Sequence, residues 1–154
     1  MGPGEGASEE ECLRAFELGQ LVAQSGWLLL TGGRDIGVMQ AVLKGAKQAN
    51  GTTIGILPGQ NRDECSSYVD IPIITGIGEA RNVINVLTSD VVVACGMGAG
   101  TASEISFAIK KNKPLILLKP GEAGSAFFAD LDHSTQEANT PLEAIEIIKN
   151  WHSG

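Results

Sequence analysis

The chain has 154 residues, 43% of them hydrophobic and 19% charged, which predicts one globular domain with an ordinary core and excludes a disordered chain. Its formal net charge of −7 at pH 7 argues against binding to nucleic acid or to an anionic membrane surface. Three widely spaced cysteines without a CxxC motif, a polar N-terminus and the absence of long apolar runs predict a reduced, cytoplasmic protein that does not enter a membrane.

Helices and strands alternate in the first half of the chain. Ser8 and Glu11 form a capping box that starts the first helix, and the glycines Gly32-Gly33 close the apolar strand that follows it. Pro72 indicates that the last strand of this half lies at a sheet edge. In chain order, the patterns predict a helix at 8–25, a strand at 27–31, a helix at 36–49, a strand at 52–57, a polar loop at 60–68 and a strand at 71–74.

The second half continues the alternation. Thr140, Pro141 and Glu143 are typical of a helix start, because they supply an N-cap, a proline at the first helical position and a reciprocal glutamate. The patterns predict a helix at 79–87, a strand at 91–95, a helix from Thr101 to 111, a strand at 114–118 and this final helix. We therefore expect a Rossmann-like α/β fold over 1–154, a single domain in which helices cover both faces of a doubly wound parallel sheet.

The N-terminus does not fit this pattern. A doubly wound sheet normally begins with a strand, whereas this chain opens on Gly2-Pro3-Gly4, a sequence typical of the loop after a strand. The first strand is therefore either upstream of Met1 or absent from the sheet.

The segment 89–104 predicts an anion site. A buried strand runs into the glycines Gly96, Gly98 and Gly100, and a helix begins at Thr101. Such a turn directs backbone N–H groups and the positive end of a helix dipole at one point, which suits a phosphate. The alternative is structural, because Thr101 and Glu104 also have the spacing of a capping box.

Other side chains are expected beside this turn. Gly32-Gly33-Arg34 ends a neighbouring parallel strand, so it should line the same cleft, and Arg81 with Asn82 begins a helix near it. For Arg34 a solvated loop position and for Arg81 a surface ion pair are the alternatives. Glu104 is the candidate general base or hydrogen-bond acceptor.

Two other residue types carry weaker signals. Cys95 is either a core residue or a thiol facing the cleft. His133 and His152 lie far from the glycine turns, so neither a Ser-His pair nor a metal site is predicted.

The sequence resembles the Rossmann-like superfamily of the Lonely Guy cytokinin-activating phosphoribohydrolases and, within it, the molybdenum cofactor carrier proteins of algae and cyanobacteria. The likeness runs from Gly2 to about Leu118. The segments that carry it are 26–27, 31–34, 37–39, 44–47, 51–55 and 58–59.

The resemblance implies a carrier that binds the molybdenum cofactor, a phosphorylated pterin, and forms a homo-oligomer, either a dimer or a tetramer. Molybdoenzymes would be its acceptors. The hydrolase branch carries Pro-Gly-Gly-x-Gly-Thr-x-x-Glu and an Arg-Lys pair, but this chain has Gly96-Met97 for Pro-Gly and Asn82 for the lysine. The alternative is a nucleoside 5′-monophosphate phosphoribohydrolase that uses Glu104 and Arg81 as catalytic residues. The candidate cofactor-binding residues are Gly2, Pro3, Gly4, Gly32, Gly33, Arg34, Arg81, Asn82, Gly96, Met97, Gly98, Ala99, Gly100, Thr101 and Glu104.

Overall fold

A computed structural model describes residues 1–153 of the chain, in which helices and strands alternate. In chain order its elements are α1 (Glu9–Gln24), β1 (Leu29–Thr31), α2 (Gly37–Gln48), β2 (Thr53–Leu57), β3 (Ile71–Ile74), a short 3₁₀ helix (Gly78–Ala80), α3 (Arg81–Thr88), β4 (Val92–Cys95), α4 (Ala99–Lys110), β5 (Leu115–Leu118), α5 (Gly121–Leu131), β6 (Gln136–Ala138) and α6 (Pro141–Ser153).

The strands form two parallel three-stranded units, ordered β1-β2-β3 and β4-β5-β6. Leu30 lies opposite Ile54 in the first unit, and Val93 lies opposite Ile116 in the second. The predicted parallel Rossmann-like α/β fold is confirmed. Strand β3, which contains Pro72, lies at the outer edge of its unit, as the proline indicated.

Helices cover both faces of the sheet, as β5 shows. Its side chains alternate, so Ile116 and Leu118 join a core cluster with residues of α1, α2 and α6. Leu115 and Leu117 join a second cluster that includes Phe128 of α5 and residues of α3 and α4. All four β5 side chains are buried, which explains the uninterrupted apolar run in the sequence.

Helices α1 and α2 cross at two glycines. A Cβ added at Gly19 would collide with the backbone oxygen of Val42, and one at Gly45 would collide with that of Phe16. Each helix therefore packs its backbone directly against the other, and a side chain at either glycine would force them apart.

Two elements differ from the sequence-based expectation. Helix α5 and strand β6 were not predicted, because Gly121 and Gly124 interrupt the apolar periodicity of the helix and the strand is only three residues long. Phe128 and the pairing of β6 with β5 hold these elements in place. Helix α4 begins at Ala99 rather than Thr101, because Gly98 has the extended N-cap conformation, with φ −154° and ψ 170°.

Candidate functional site

A cavity of about 1010 Å³ lies between β1 and β4 and extends to the N-terminus of α4. Parallel α/β proteins bind ligands at this edge, beyond the carboxyl ends of the strands. Of the predicted binding residues, twelve line the cavity: Gly2, Pro3, Gly4, Gly32, Arg34, Arg81, Asn82, Gly98, Ala99, Gly100, Thr101 and Glu104.

The N-terminus of α4 presents free backbone donors to this cavity. Ala102 donates its N–H to the Gly98 carbonyl oxygen at 2.8 Å, which is the first hydrogen bond inside the helix. The N–H groups of the three residues before Ala102 therefore have no acceptor within the helix. A Cβ added at Gly100 would meet Asn82 Nδ2 at 3.9 Å, which is ordinary contact, so the backbone here is open to an approaching group. Unpaired N–H groups and a helix dipole together favour an anion.

Arg81 is a buried cation in the cavity wall. Its side chain packs so closely on Gly32 that a Cβ there would collide with the guanidinium group. The guanidinium donates to Asn82 Oδ1 at 2.6 Å, while its Nε has no hydrogen-bond partner among the described residues. Burial lowers the pKa of Arg81, and the Glu104 carboxylate opposes that shift. The surface ion pair considered from the sequence is not what the structure shows, because Arg81 is only 8% exposed.

Glu104 is buried on α4 and pairs with α3. Asn85 Nδ2 donates to Glu104 Oε1 at 3.1 Å, and both residues line the cavity. Within the described chain, Asn85 Oδ1 and the Thr101 hydroxyl have no partner. The Thr101–Glu104 capping box is therefore wrong: the N-cap is Gly98, and Glu104 bonds to Asn85 instead.

The unpaired atoms test whether a polar ligand fits. Buried polar groups are nearly always hydrogen-bonded, and leaving one unpaired costs about 1–3 kcal/mol. Arg81 Nε, Asn85 Oδ1 and Thr101 Oγ1 all belong to buried residues that line one cavity. A phosphorylated heterocycle, with an anionic end and a hydrogen-bonding ring, carries partners for such donors and acceptors.

Asn85 was missed in the sequence. It lies one helical turn after Arg81, so spacing on one face of α3 could have suggested it. No sequence motif marked it, because its partner Glu104 is on a different helix.

Three predicted residues lie outside the cavity wall. Gly33, with φ +73°, packs on Gly55 and orients the turn after β1. Gly96 also has positive φ, +77°, and faces the Glu11 side chain. Met97 packs its methyl group against Gly124. These residues shape the loops that carry the wall.

Arg34 and Cys95 have other contacts. Arg34 lines the cavity but also pairs with Glu64, with Nε to Oε2 at 3.2 Å, so it combines a loop ion pair with a place at the rim. Cys95 is a core residue. Its thiol donates a hydrogen bond to the backbone carbonyl oxygen of Glu11 at 3.6 Å, and burial raises the pKa of the thiol.

Metal ligands do not cluster in the described part of the chain. Residues 1–153 contain no group of three or more His, Cys, Asp or Glu side chains that could hold a metal ion. His152 stacks on Trp27, with ring centroids 6.1 Å apart, and its Nδ1 contacts the Ile148 oxygen. Among the helices of the same residues, none is long and apolar enough to cross a membrane.

Comparison with known proteins gives consistent matches. The model of the SLOG cluster4 family matches residues 1–146. The molybdenum cofactor binding protein of the phototrophic bacterium Rippkaea orientalis is 52% identical, with a TM-score of 0.96 and coverage of 97% of this chain and 93% of that chain. The molybdenum cofactor carrier protein of Chlamydomonas reinhardtii is 47% identical, with a TM-score of 0.94 and coverage of 100% of this chain and 96% of that chain.

A more distant relative is an enzyme. The cytokinin riboside 5′-monophosphate phosphoribohydrolase of Mycobacterium tuberculosis is 28% identical over 114 residues, which are 69% of this chain and 61% of that protein. The resemblance to molybdenum cofactor carriers within the Lonely Guy-like superfamily is thereby confirmed.

Proposed function

The chain belongs to the SLOG cluster4 family, and on that premise we propose that it is a carrier protein that binds the molybdenum cofactor in the cavity between β1 and α4. The observation that carries the proposal is the convergence of Arg81, Asn85 and Thr101 on one cavity with unpaired buried polar atoms. The carrier and binding roles of the structural relatives support it.

Each part of the wall suits one part of the ligand. The backbone N–H groups at Gly98 to Thr101 bind the terminal phosphate, and the Arg81 cation neutralises charge beside it. A phosphate beside the Glu104 carboxylate would repel it, because both groups are negatively charged. Glu104 therefore faces the pterin, where its carboxylate accepts hydrogen bonds from ring N–H groups. The loop Gly2 to Gly4 covers the opposite side. The cofactor is cargo, and these residues bind and shield it.

The contact between Arg81 and Asn82 favours binding over hydrolysis. The Asn82 amide oxygen accepts a hydrogen bond from Arg81 at 2.6 Å, and a lysine at this position has no acceptor to offer. Arg81 is therefore held by its neighbour, whereas the hydrolase branch of the superfamily has a second cation there.

Cofactor retention tests the proposal. Purified protein is incubated with molybdenum cofactor, desalted, and assayed for its ability to restore activity to a cofactor-free molybdoenzyme. We expect cofactor to co-elute with the chain and much less with Gly100→Val, whose side chain occupies the space beside the helix N-terminus. Ser106→Ala, on the exposed face of the same helix, is the matched control. Failure of the cofactor to co-elute with the unmodified chain would refute the carrier role.

Phosphoribohydrolase activity is the second candidate. It is favoured by a buried carboxylate, Glu104, beside a buried cation, Arg81, in a cavity with an anion site at one end. Glu104 would stabilise an oxocarbenium-like ribose or activate water. Incubation with adenosine monophosphate and its isopentenyl derivative, followed by assay for free base, tests it. Sustained release of free base that is lost in Glu104→Gln would establish phosphoribohydrolase activity. It would overturn the proposal that the protein is a carrier alone.

The resemblance also implies a homo-oligomer, and we propose a dimer or tetramer in the cytoplasm that delivers cofactor to molybdoenzymes. Apolar side chains on α5, Phe127 at 58% and Leu131 at 54% exposure, support self-association, since a second copy would cover them. Light scattering on the purified protein gives the mass directly. A monomer at all concentrations would contradict this part of the proposal.

A further inference from the structure

Three buried side chains in the cavity wall restrict which ring a ligand can present there. Arg81 and Asn85 are one helical turn apart on α3, about 6 Å along its axis. Glu104 of α4 interacts with both: it accepts a hydrogen bond from Asn85, and it opposes the lowering of the Arg81 pKa that burial causes. All three residues line the cavity and are buried. Their unpaired atoms therefore define the hydrogen-bonding groups that a bound ring must carry.

Arg81 provides the donors of this set. A guanidinium group has five N–H groups and no acceptor. Asn82 Oδ1 accepts from one of these N–H groups, and Arg81 Nε has no partner among residues 1–153. A ring atom that faces Arg81 must therefore be an acceptor, such as a carbonyl oxygen.

Glu104 and Asn85 provide the acceptors. The Glu104 carboxylate can only accept, so the Asn85 amide turns its Nδ2 to Glu104 Oε1, at 3.1 Å. That orientation leaves Asn85 Oδ1 without a donor in the described part of the chain. Glu104 Oε2 also accepts no hydrogen bond from residues 1–153. Ring atoms that face this pair must therefore be donors.

Two common ring edges differ in how they meet this wall. A 2-amino-4-oxopyrimidine ring, which pterin and guanine share, presents a carbonyl acceptor followed by a ring N–H and an amino group, which are both donors. Adenine has an amino donor in place of the carbonyl and an unprotonated ring nitrogen beside it. The first edge matches the Arg81 donors and the two acceptors. Adenine would instead turn its amino group to the Arg81 cation and its ring nitrogen to the Glu104 carboxylate.

We propose that Arg81, Glu104 and Asn85 select the ring of the ligand, so that the cavity binds guanine nucleotides as well as pterins and rejects adenine nucleotides. This inference rests on the proposed function, in which a phosphorylated heterocycle binds with its phosphate at the start of α4. Glu104 lies five residues after Ala99, about 7.5 Å along the helix axis, so the ring of the same ligand lies deeper than its phosphate. The wrong ring would leave buried polar groups unpaired, which makes such a site selective.

Three nucleoside 5′-monophosphates test the selection on the unmodified chain. Guanosine, inosine and adenosine 5′-monophosphate have the same ribose and phosphate, so differences in Kd, measured by equilibrium dialysis, come from the ring. We expect the Kd of guanosine monophosphate to be at least about tenfold lower than that of adenosine monophosphate. Inosine monophosphate lacks the amino group and should lie between them. Equal Kd values, tighter binding of adenosine monophosphate, or no binding of any of the three would overturn the proposal.

Glu104→Gln tests which residue makes the selection. Glutamine keeps the shape of the side chain but replaces one carboxylate oxygen by an amide donor, which can pair with adenine. The preference for guanosine monophosphate should fall below about threefold, because the ring N–H groups lose an acceptor. The Kd of ribose 5-phosphate, which has no ring nitrogen, should not rise.

Ser106→Ala, on the exposed face of α4, is the matched control and should keep the full preference. A Glu104→Gln protein that unfolds cooperatively on heating, and is therefore folded, but keeps the full preference would show that this wall does not select the ring.

These outcomes are distinct from those of the cofactor retention assay. Retained cofactor with equal Kd values for the nucleotides would refute ring selection and leave the carrier proposal standing. Discrimination between the nucleotides without retained cofactor would support ring selection and refute the carrier role.

Discussion

Replacing Gly100 by alanine should separate stability from ligand binding. Gly100 is the second residue of α4, and a Cβ there has ordinary contact with Asn82 alone and needs no positive φ. Glycine within a helix costs about 0.5–1 kcal/mol relative to alanine, so Gly100→Ala should stabilise the fold by up to that amount. For a chain of this length, that corresponds to a rise of about 1–4 °C in the unfolding midpoint.

Binding should change in the opposite direction. The added methyl group lies at the start of α4, 3.9 Å from Asn82 Nδ2, and narrows the space in which we propose that the phosphate binds. Loss of one hydrogen bond to a charged group costs about 1.5–3 kcal/mol, so Kd for the cofactor should rise about 10- to 150-fold. Thermal unfolding and equilibrium titration with the cofactor on the same preparations give both numbers.

The control is Ser106→Ala, an exposed replacement further along α4 that also improves helix propensity. It should raise the midpoint slightly and leave Kd unchanged. A Gly100→Ala protein that is stabilised and still binds cofactor with the original Kd would refute the assignment of the phosphate to this helix N-terminus.

Three further results are expected. Gly32→Ala should keep the fold but weaken cofactor binding in titrations at least about tenfold, since its Cβ collides with the end of the Arg81 side chain and displaces the guanidinium group. Hydrogen bonds from Lys47 hold the pKa of Asp70 below its ordinary value, so this stabilisation is present above about pH 4 and is lost as the pH falls through the lowered pKa. Urea unfolding of Asp70→Asn should accordingly show a shallower loss of stability between about pH 4 and pH 2. Burial raises the pKa of the Cys95 thiol, so iodoacetamide at about pH 8 should label it, by peptide mass spectrometry, only after denaturation.

Local signals predicted the elements whose determinants are local. The capping box at Ser8 is present as expected, with Glu11 donating its N–H to the serine hydroxyl. At the start of α6, the Thr140 hydroxyl accepts a hydrogen bond from the Glu143 N–H in the same way. Both depend on residues three apart. Strand β6 has no such signal, because it exists through pairing with β5 and buries Ala138 alone among its side chains.

The residues of the candidate site also differ in whether local sequence signals or long-range packing determine their positions. Arg81, Thr101 and Glu104 were expected near the glycine turn from motif and resemblance, and the structure brings them to one cavity. The hydrogen bond from Asn85 to Glu104 could not be predicted, since it depends on how α3 packs beside α4. Only the position of Asn85 on the same face of α3 as Arg81 could be inferred from spacing. The start of α4 was placed two residues late because an N-cap glycine carries no side chain to mark it.

The contact of α1 and α2 at Gly19 and Gly45 has a consequence for the order of folding. This crossing joins residues that precede residue 50, and each three-stranded unit is likewise built from one continuous half of the chain. Contacts between nearby residues close short loops and form quickly. We therefore expect the helix pair with its half-sheet to form during synthesis, before β4 leaves the ribosome, and the joining of the two halves to be the late, slow step.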